Sequence, residues 1–510
     1  MPGYARRKQQ GQDSQVLLAL DQGTTSTRAI AFDRALHPLH IAQRSLSQSF
    51  PRPGWVEHDP ERIRDDAVAT LREAIEALDG NAEAVAAIGI TNQRETTIVW
   101  ERATGRPIHA AIVWQDRRTA GACRELHRAG HEDLVHRRTG LVLDSYFSAT
   151  KLAWILDAVE GARAAAVRGE LAFGTVDTWL LWCLTGGAVH ATDVSNASRT
   201  ALFDIDRQRW DPELLDLFRI PAAVLPEVRD SAGDFGRTLS DLFGAEIPIR
   251  GIAGDQQAAL FGQAAFEPGA VKCTFGTGAF ALLNTGTERL HSENRLLATI
   301  GWRIDGRTTY ALEGSIFVAG ATVQWLRDGL GIIDDPAETE RLAGSVDDTG
   351  GVYLVPAFVG LGAPHWDAEA RGALVGLTRD TGRASIARAG LEAVAYQTRQ
   401  LLEAMRADGA RAPQTLRVDG GFARNDWAMG FLADMVNVRV ERPAGIETTA
   451  LGAAGLAGLA SGVFGSLDAV ASAWRLDRAW EPTMEESRRS ALFDGWKQAV
   501  GRVLSTNPDQ

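Results

Sequence analysis

Two stretches of this 510-residue chain share one plan. VLLALDQGTTSTRAIAFD (residues 16–33) and AVKCTFGTGAFALLNTG (residues 270–286) each run an apolar strand into a glycine and hydroxyl cluster and back into an apolar strand. The short spacing predicts a hairpin in each case. Identity between the two is low, so they are not a sequence repeat. They predict two domains, each presenting a glycine-hydroxyl tip. Length agrees, because a chain this long exceeds what one hydrophobic core supports. The boundary is expected near residue 264, around GQAAFEPGA, giving domains 16–264 and 265–510. Residues 1–15, MPGYARRKQQGQDSQ, are polar and basic with no apolar segment. They read as a loose tail and not as a secretory signal.

Strand-like and helix-like stretches alternate along the rest, which predicts an α/β architecture. In HDPERIRDDAVATLREAIEAL, Asp59 is placed as an N-cap with Pro60 at the first helical position. Ile63, Ala67, Leu71, Ile75 and Leu78 then recur on one helical face. VAAIGITNQRETTIVWE reads as strand, polar bend, strand. The net charge of −12 argues against general nucleic-acid binding, which needs a basic surface. Three cysteines, Cys123, Cys183 and Cys273, form no CxxC pair, so a reducing, cytoplasmic setting is expected. No run of about 18 apolar residues occurs, so no membrane span is expected.

The chemistry-bearing residues fall into a few groups. At a hairpin tip, glycine lets the backbone approach a ligand, and successive N–H groups can form an anion nest. Thr24, Thr25, Ser26 and Arg28 would add donors and charge, and Asp21 could orient a hydrated Mg²⁺. A plain tight turn remains open for either tip alone. No G-x-x-x-x-G-K-[ST] occurs, which excludes a P-loop. In GIAGDQQAALFGQ (residues 251–263), Asp255 precedes an alanine-rich helix. It is either a residue stabilised at a helix N-terminus or a general base. Arg94 and Glu95 in NQRETT are either a solvated turn or a donor–acceptor pair for a small polyol. Trp114 and Tyr146 are either core aromatics or covers for a polyol's CH faces. LRVDGGFARND (residues 416–426) ends a strand at Asp419 before a glycine pair, where a nucleotide or an ordinary turn fits.

Taken in order, these motifs resemble the FGGY carbohydrate kinases, of the actin/hexokinase-like (ribonuclease H-like) ATPase fold. The resemblance runs from about residue 16 to about residue 480. ALDQGTTSTRAIAFD, GITNQRETTIVWE, AIVWQDRRT, YFSATKLAWIL, GIAGDQQAALFGQ, FGTGAF, VPAFVGLGAPHWDAEARGALVGLTRDT and LRVDGGFARND carry it. It implies two such domains with an interdomain cleft. The polyol site and first phosphate loop would lie in 16–264, the second phosphate loop and adenosine site in 265–510. The implied reaction is ATP-dependent phosphorylation of glycerol, with Mg²⁺, and Asp255 as the catalytic base. The implied polyol contacts are Arg94, Glu95, Trp114, Tyr146, Asp255, Gln256 and Phe280. The implied nucleotide contacts are Thr24, Thr25, Ser26, Arg28, Thr277, Gly320, Gln324, Gly421 and Asn425, with Asp21 at the metal. Relatives are often homodimers or homotetramers. Some carry a Gly-Gly-x-x-Arg loop for a sugar bisphosphate or a phosphorylatable histidine before the GIAGDQ strand. This chain has RTLSDLFGAEIPIR there and no histidine between His190 and His291. Kinases for other polyols or ketoses share the phosphate machinery, and actin- or chaperone-like ATPases share the fold. NQRETT with Tyr146 and Phe280 favours glycerol.

Overall fold

The computed structural model describes residues 15–367, 369–445 and 447–505. Apart from residue 15, the tail expected at 1–15 lies outside the described residues. The first sheet has five strands: β1 (Val16–Gln22), β2 (Ser26–Phe32), β3 (Pro38–Ser45), β4 (Val85–Asn92) and β5 (Ile249–Gly254). Their order is β5-β4-β1-β2-β3. β1, β2 and β3 form an antiparallel meander, while β4 and β5 extend it in parallel. The helix expected after Asp59 is α1 (Pro60–Glu76), and the Asp59 side chain accepts from Glu61 N.

The second sheet repeats this plan. It contains β6 (Val271–Phe275), β7 (Ala279–Gly286), β8 (Leu297–Ile304), β9 (Arg307–Ile316), β10 (Thr415–Asp419), β11 (Arg439–Pro443) and β12 (Leu476–Trp480). The order is β8-β9-β7-β6-β10-β11-β12. Within it, β9-β7-β6 is antiparallel and β6-β10-β11 is parallel, as β3-β2-β1 and β1-β4-β5 are in the first sheet. The two resembling stretches of sequence are therefore equivalent hairpins, β1–β2 and β6–β7. This is the two-domain actin/hexokinase-like fold.

Strand β1 shows why the sheet is central. Its side chains alternate between faces. Val16, Leu18 and Leu20 join the core under α1, beside Ile63, Ala67 and Leu71. Leu17 and Ala19 face the opposite core. That second core is filled from far along the chain. Helix α2 (Asp255–Gly262) follows β5, and the helices α3 (Gly320–Asp328), α4 (Arg383–Ala407) and α5 (Asp426–Val436) belong to the second sheet's surroundings. Helix α6 (Thr448–Ala460) instead lays Ala450, Ala453, Ala454 and Ala457 against Leu17 and Ala19. Its approach is too close for larger residues. A Cβ on Gly89 of β4 would stand 2.1 Å from the Ala453 carbonyl, and one on Gly452 would stand 1.9 Å from the Ala258 carbonyl. Small residues let α6 rest directly on β4 and cross α2, the helix that begins with Asp255. Among the described residues, no helix is long and apolar enough to cross a membrane.

Candidate active site

In the first sheet the chain leaves β1, β4 and β5 at one edge. In parallel α/β sheets that carboxyl edge is where ligands bind. Asp21 lies near the end of β1, Arg94 and Glu95 follow β4, and Asp255 follows β5.

The bend after β4 is buried: Arg94 is 2% and Glu95 1% exposed. The solvated-turn alternative for NQRETT does not hold. Its backbone is fixed from several sides. Gln93 N donates to Gln22 O at 2.8 Å, and Thr96 N donates to Arg94 O at 2.7 Å. Glu95 has φ of 60°, a left-handed conformation unfavourable for a side-chain-bearing residue. The Thr97 and Ser148 hydroxyls both donate to the Glu95 carbonyl, at 3.1 and 3.0 Å, and hold it there.

The two side chains enter a buried ionic cluster. Arg94 Nη1 donates to Glu313 Oε2 at 2.5 Å, and Nη2 donates to Glu313 Oε1 at 3.2 Å. Arg199 donates through Nε to Glu95 Oε1 at 2.7 Å and through Nη2 to Glu313 Oε1 at 2.9 Å. Arg94 Nε stands 3.3 Å from Asp255 Oδ1, and its Nη2 lies 3.5 Å from the Tyr146 hydroxyl. Burial opposes ionisation of Glu313, but Arg199 and Arg94 outweigh it and hold its carboxyl down at about 2. Glu95 and Asp255 move the other way. Burial raises both above the usual carboxylate range, and the neighbouring cations only partly offset it.

Asp255 opens α2, as its position in the sequence suggested, and its Oδ1 accepts from Gln256 N at 2.7 Å. The Gln256 side chain is turned by a buried cation. Lys272 Nζ donates to Gln256 Oε1 at 2.5 Å and to Thr274 Oγ1 at 3.0 Å. An ammonium has only donors, so it captures the amide oxygen and leaves the Gln256 NH₂ as the group that can face a ligand.

The aromatics gather beside this cluster. Trp114 and Tyr146 meet edge to face at 5.6 Å, and Arg199 lies 5.7 Å over the Tyr146 ring. Trp114 Nε1 also donates to Thr24 Oγ1 at 3.0 Å, tying the aromatic wall to the first hairpin tip. Phe280 is half-buried on β7, opposite Ser315 of β9.

At that first tip, Thr24 and Thr25 lie in the turn between β1 and β2, while Ser26 and Arg28 begin β2. Arg28 pairs with Glu447, just ahead of α6. The second tip, around Thr277, is clamped to α3. Gly320 N donates to Gly276 O and Ala321 N to Thr277 O, each at 3.0 Å. A Cβ on Gly320 would stand 2.5 Å from Gly276 O. Gly420 packs as closely on Phe275. Thr277, Gly320 and the Gly420–Gly421 pair are thus brought together around one tip. Gln324 lies exposed one turn along α3, and Gly421 is exposed after β10. Asn425 caps α5 through Ala428 N and donates to Thr339 Oγ1 at 3.1 Å.

Asp21 fits a hydrated divalent cation. Burial pushes its carboxyl up to about 7 against the nearby Arg28, with Asp255 and Glu447 adding to the rise. Its ionised form is held by less positive charge than its burial demands. Among the described residues no cluster of three or more His, Cys, Asp or Glu could hold a metal alone. A Mg²⁺ here would bring waters and ligand oxygens, its usual habit.

Sequence reasoning missed Glu313, Arg199 and Lys272. Two carried a readable signal. Glu313 in YALEGSIF and Lys272 in AVKCTF are charges inside otherwise apolar strands, and a fully buried charge needs a partner. Arg199 carried none.

A family profile described as FGGY family of carbohydrate kinases, N-terminal domain, matches residues 16–262, and its C-terminal counterpart matches residues 271–461. A glycerol kinase of Rhodospirillum rubrum is 61% identical over 489 residues, 96% of this chain and 99% of that protein. One of Alcanivorax borkumensis is 59% identical over 491 residues, again 96% and 99%. The solved structure of Plasmodium falciparum glycerol kinase with ADP superposes with a TM-score of 0.92 at 38% identity, covering 97% of this chain and 99% of that one. A gluconate kinase of Lactobacillus acidophilus shares the fold, with a TM-score of 0.87 at 21% identity.

Proposed function

The chain belongs to the FGGY family of carbohydrate kinases, and on that premise we propose that it transfers the γ-phosphoryl group of ATP to a terminal hydroxyl of glycerol, giving sn-glycerol 3-phosphate and ADP. Relatives named glycerol kinase, about 60% identical over nearly the whole chain, support the substrate. The observation that carries the reading is the meeting of buried Arg94 and Glu95 with half-buried Tyr146 and Asp255.

A three-carbon polyol offers donors and acceptors at fixed spacing. Arg94 and the Gln256 NH₂ would donate to its oxygens, Glu95 would accept from a hydroxyl, and Trp114, Tyr146 and Phe280 would cover its CH faces. Asp255 would accept the proton of the reacting hydroxyl as that oxygen bonds to the γ-phosphorus and the bridge to the β-phosphate breaks. Its raised pKa suits the task, since a base is most effective near working pH. Thr24, Thr25, Ser26, Arg28 and Thr277 would hold the phosphates. Gly320, Gln324, Gly421 and Asn425 would hold the nucleoside. Asp21 would hold Mg²⁺, which supplies charge neutralisation at the phosphates. Closure of the two halves would keep water from replacing glycerol.

The test is an ADP-release assay with glycerol, dihydroxyacetone, xylulose and gluconate. Glycerol should give the highest kcat/KM. A clear preference for a five- or six-carbon substrate would point to a different member of the family. ATP turnover indifferent to any of them would remove the kinase reading.

A further inference from the structure

Arg94 belongs to the first half of the molecule, yet the acceptor that orients its guanidinium comes from the second. Glu313 lies 219 residues away, on β9. We propose that Glu313 is the positioning residue that aims the Arg94 guanidinium at the polyol, so that the polyol site is complete only when β9 is docked against the bend after β4. The proposal rests on the glycerol-phosphorylating reading above.

A guanidinium is planar and donates through three nitrogens in a fixed fork. Glu313 occupies Nη1 and Nη2 of Arg94 with its two oxygens, which leaves Nε facing Asp255. The fork therefore fixes the plane of the guanidinium. Glu313 also accepts from Arg199, which in turn holds Glu95. One carboxylate thus orients both members of the polyol pair, Arg94 directly and Glu95 through Arg199. All four side chains are 2% exposed or less, so no bulk water can take the place of a missing partner. Without Glu313, the acceptors left near Arg94 are Gln257 Oε1, the Tyr146 hydroxyl, Asp255 and Glu95. Asp255 and Glu95 are groups the reaction needs free, and an Arg94 that turned onto them would engage the base and the polyol acceptor itself. Through its neighbour β8, the docking of β9 on the first half does not depend on Glu313 alone. Gln257 donates to Thr299 Oγ1 and Ile300 O of β8, each at 3.3 Å, and Ser198 shares a hydrogen bond with Thr299 at 3.0 Å. The halves can therefore stay docked in a Glu313 variant while the fork is lost.

Steady-state kinetics on the full chain test this, with wild type, Glu313→Gln, Glu313→Asp, Arg94→Ala and the Arg94→Ala/Glu313→Gln double variant. Wild type is read first, and absence of glycerol-dependent ADP release there would sink the functional reading and this proposal together. Given wild-type activity, Glu313→Gln should raise KM for glycerol tenfold or more while KM for ATP stays within twofold. Adding Glu313→Gln to Arg94→Ala should raise KM for glycerol by a smaller factor than Glu313→Gln does alone, because the Arg94 path is already gone and only the path through Arg199 to Glu95 remains. Glu313→Asp keeps the charge and should recover part of the loss. A glycerol KM unchanged in Glu313→Gln, an equal rise in both KM values, or additive effects in the double variant would each overturn the positioning role. Should Glu313→Gln fail to fold, Glu313→Asp carries the test. Its shortened carboxylate must raise the glycerol KM at least threefold, and a wild-type value overturns the proposal.

Discussion

Replacing Asp255 with Asn isolates the proton-accepting role from the binding role. Asn keeps a carbonyl oxygen that can accept from Gln256 N–H, the bond made at 2.7 Å in the native protein. It loses the charge that faces Arg94 Nε at 3.3 Å. Arg94 keeps its fork on Glu313, so the polyol contacts remain in place. The loss should therefore fall on kcat. General bases contribute roughly 10² to 10⁴-fold, which is about 3–5.5 kcal/mol at about 1.4 kcal/mol per decade. The Asp255 side chain is 30% exposed, enough for a water to take the proton slowly and keep the loss finite. The pH profile supplies a second readout. Asp255 must be ionised to act, and burial raises its pKa, so wild-type kcat/KM should fall as pH drops through a value above the ordinary aspartate range. The variant should lose the contribution of Asp255 to that limb, while the raised Asp21 and Glu95 keep theirs. A coupled ADP-release assay from pH 5 to 8, with glycerol affinity measured by calorimetry, checks both. A kcat within tenfold of wild type would refute the assignment.

Asp21→Asn should raise the Mg²⁺ concentration for half-maximal turnover tenfold or more, and an unchanged Mg²⁺ dependence would take Asp21 out of the metal's surroundings. Gly452→Val drives a side chain into the Ala258 carbonyl, separates α6 from α2, and should cost roughly 1–3 kcal/mol or more through overpacking, seen as a lowered Tm; a wild-type Tm would contradict the packing. Asp177 is fully buried between the Thr175 and Thr192 hydroxyls, and burial pushes its carboxyl up to about 7 from an unfolded value of 3.8. A raised folded pKa means stability is lost as pH rises through that interval, by of order 4 kcal/mol at 1.36 kcal/mol per unit. Asp177→Asn should remove that slope, so the Tm difference between variant and wild type should grow in the variant's favour from pH 4 to 7, and parallel curves would count against it.

Much of this molecule is legible in its sequence because local chemistry specifies it. The two hairpins follow from apolar runs closed by glycine and hydroxyl residues, and α1 from a capping Asp59 ahead of Pro60. Asp255 at the mouth of α2, and Tyr146 ahead of the helix Ser148–Ala158, stand where their neighbours in the chain place them. The resemblance to a kinase family then gave these residues roles that no local rule supplies. What the sequence left open was burial. NQRETT is as compatible with a wet surface bend as with a polyol site, because composition does not say what another part of the chain will cover. Tertiary structure decided that by bringing Glu313 across 219 residues to Arg94, by setting Arg199 between Glu95 and Glu313, and by laying α6 on a sheet made more than 190 residues earlier in the chain. Capping hydrogen bonds and side-chain periodicity act over a few residues and can be read in order. A buried charge is neutralised by whichever partner the fold brings within about 3 Å, and that distance exists only in the folded chain.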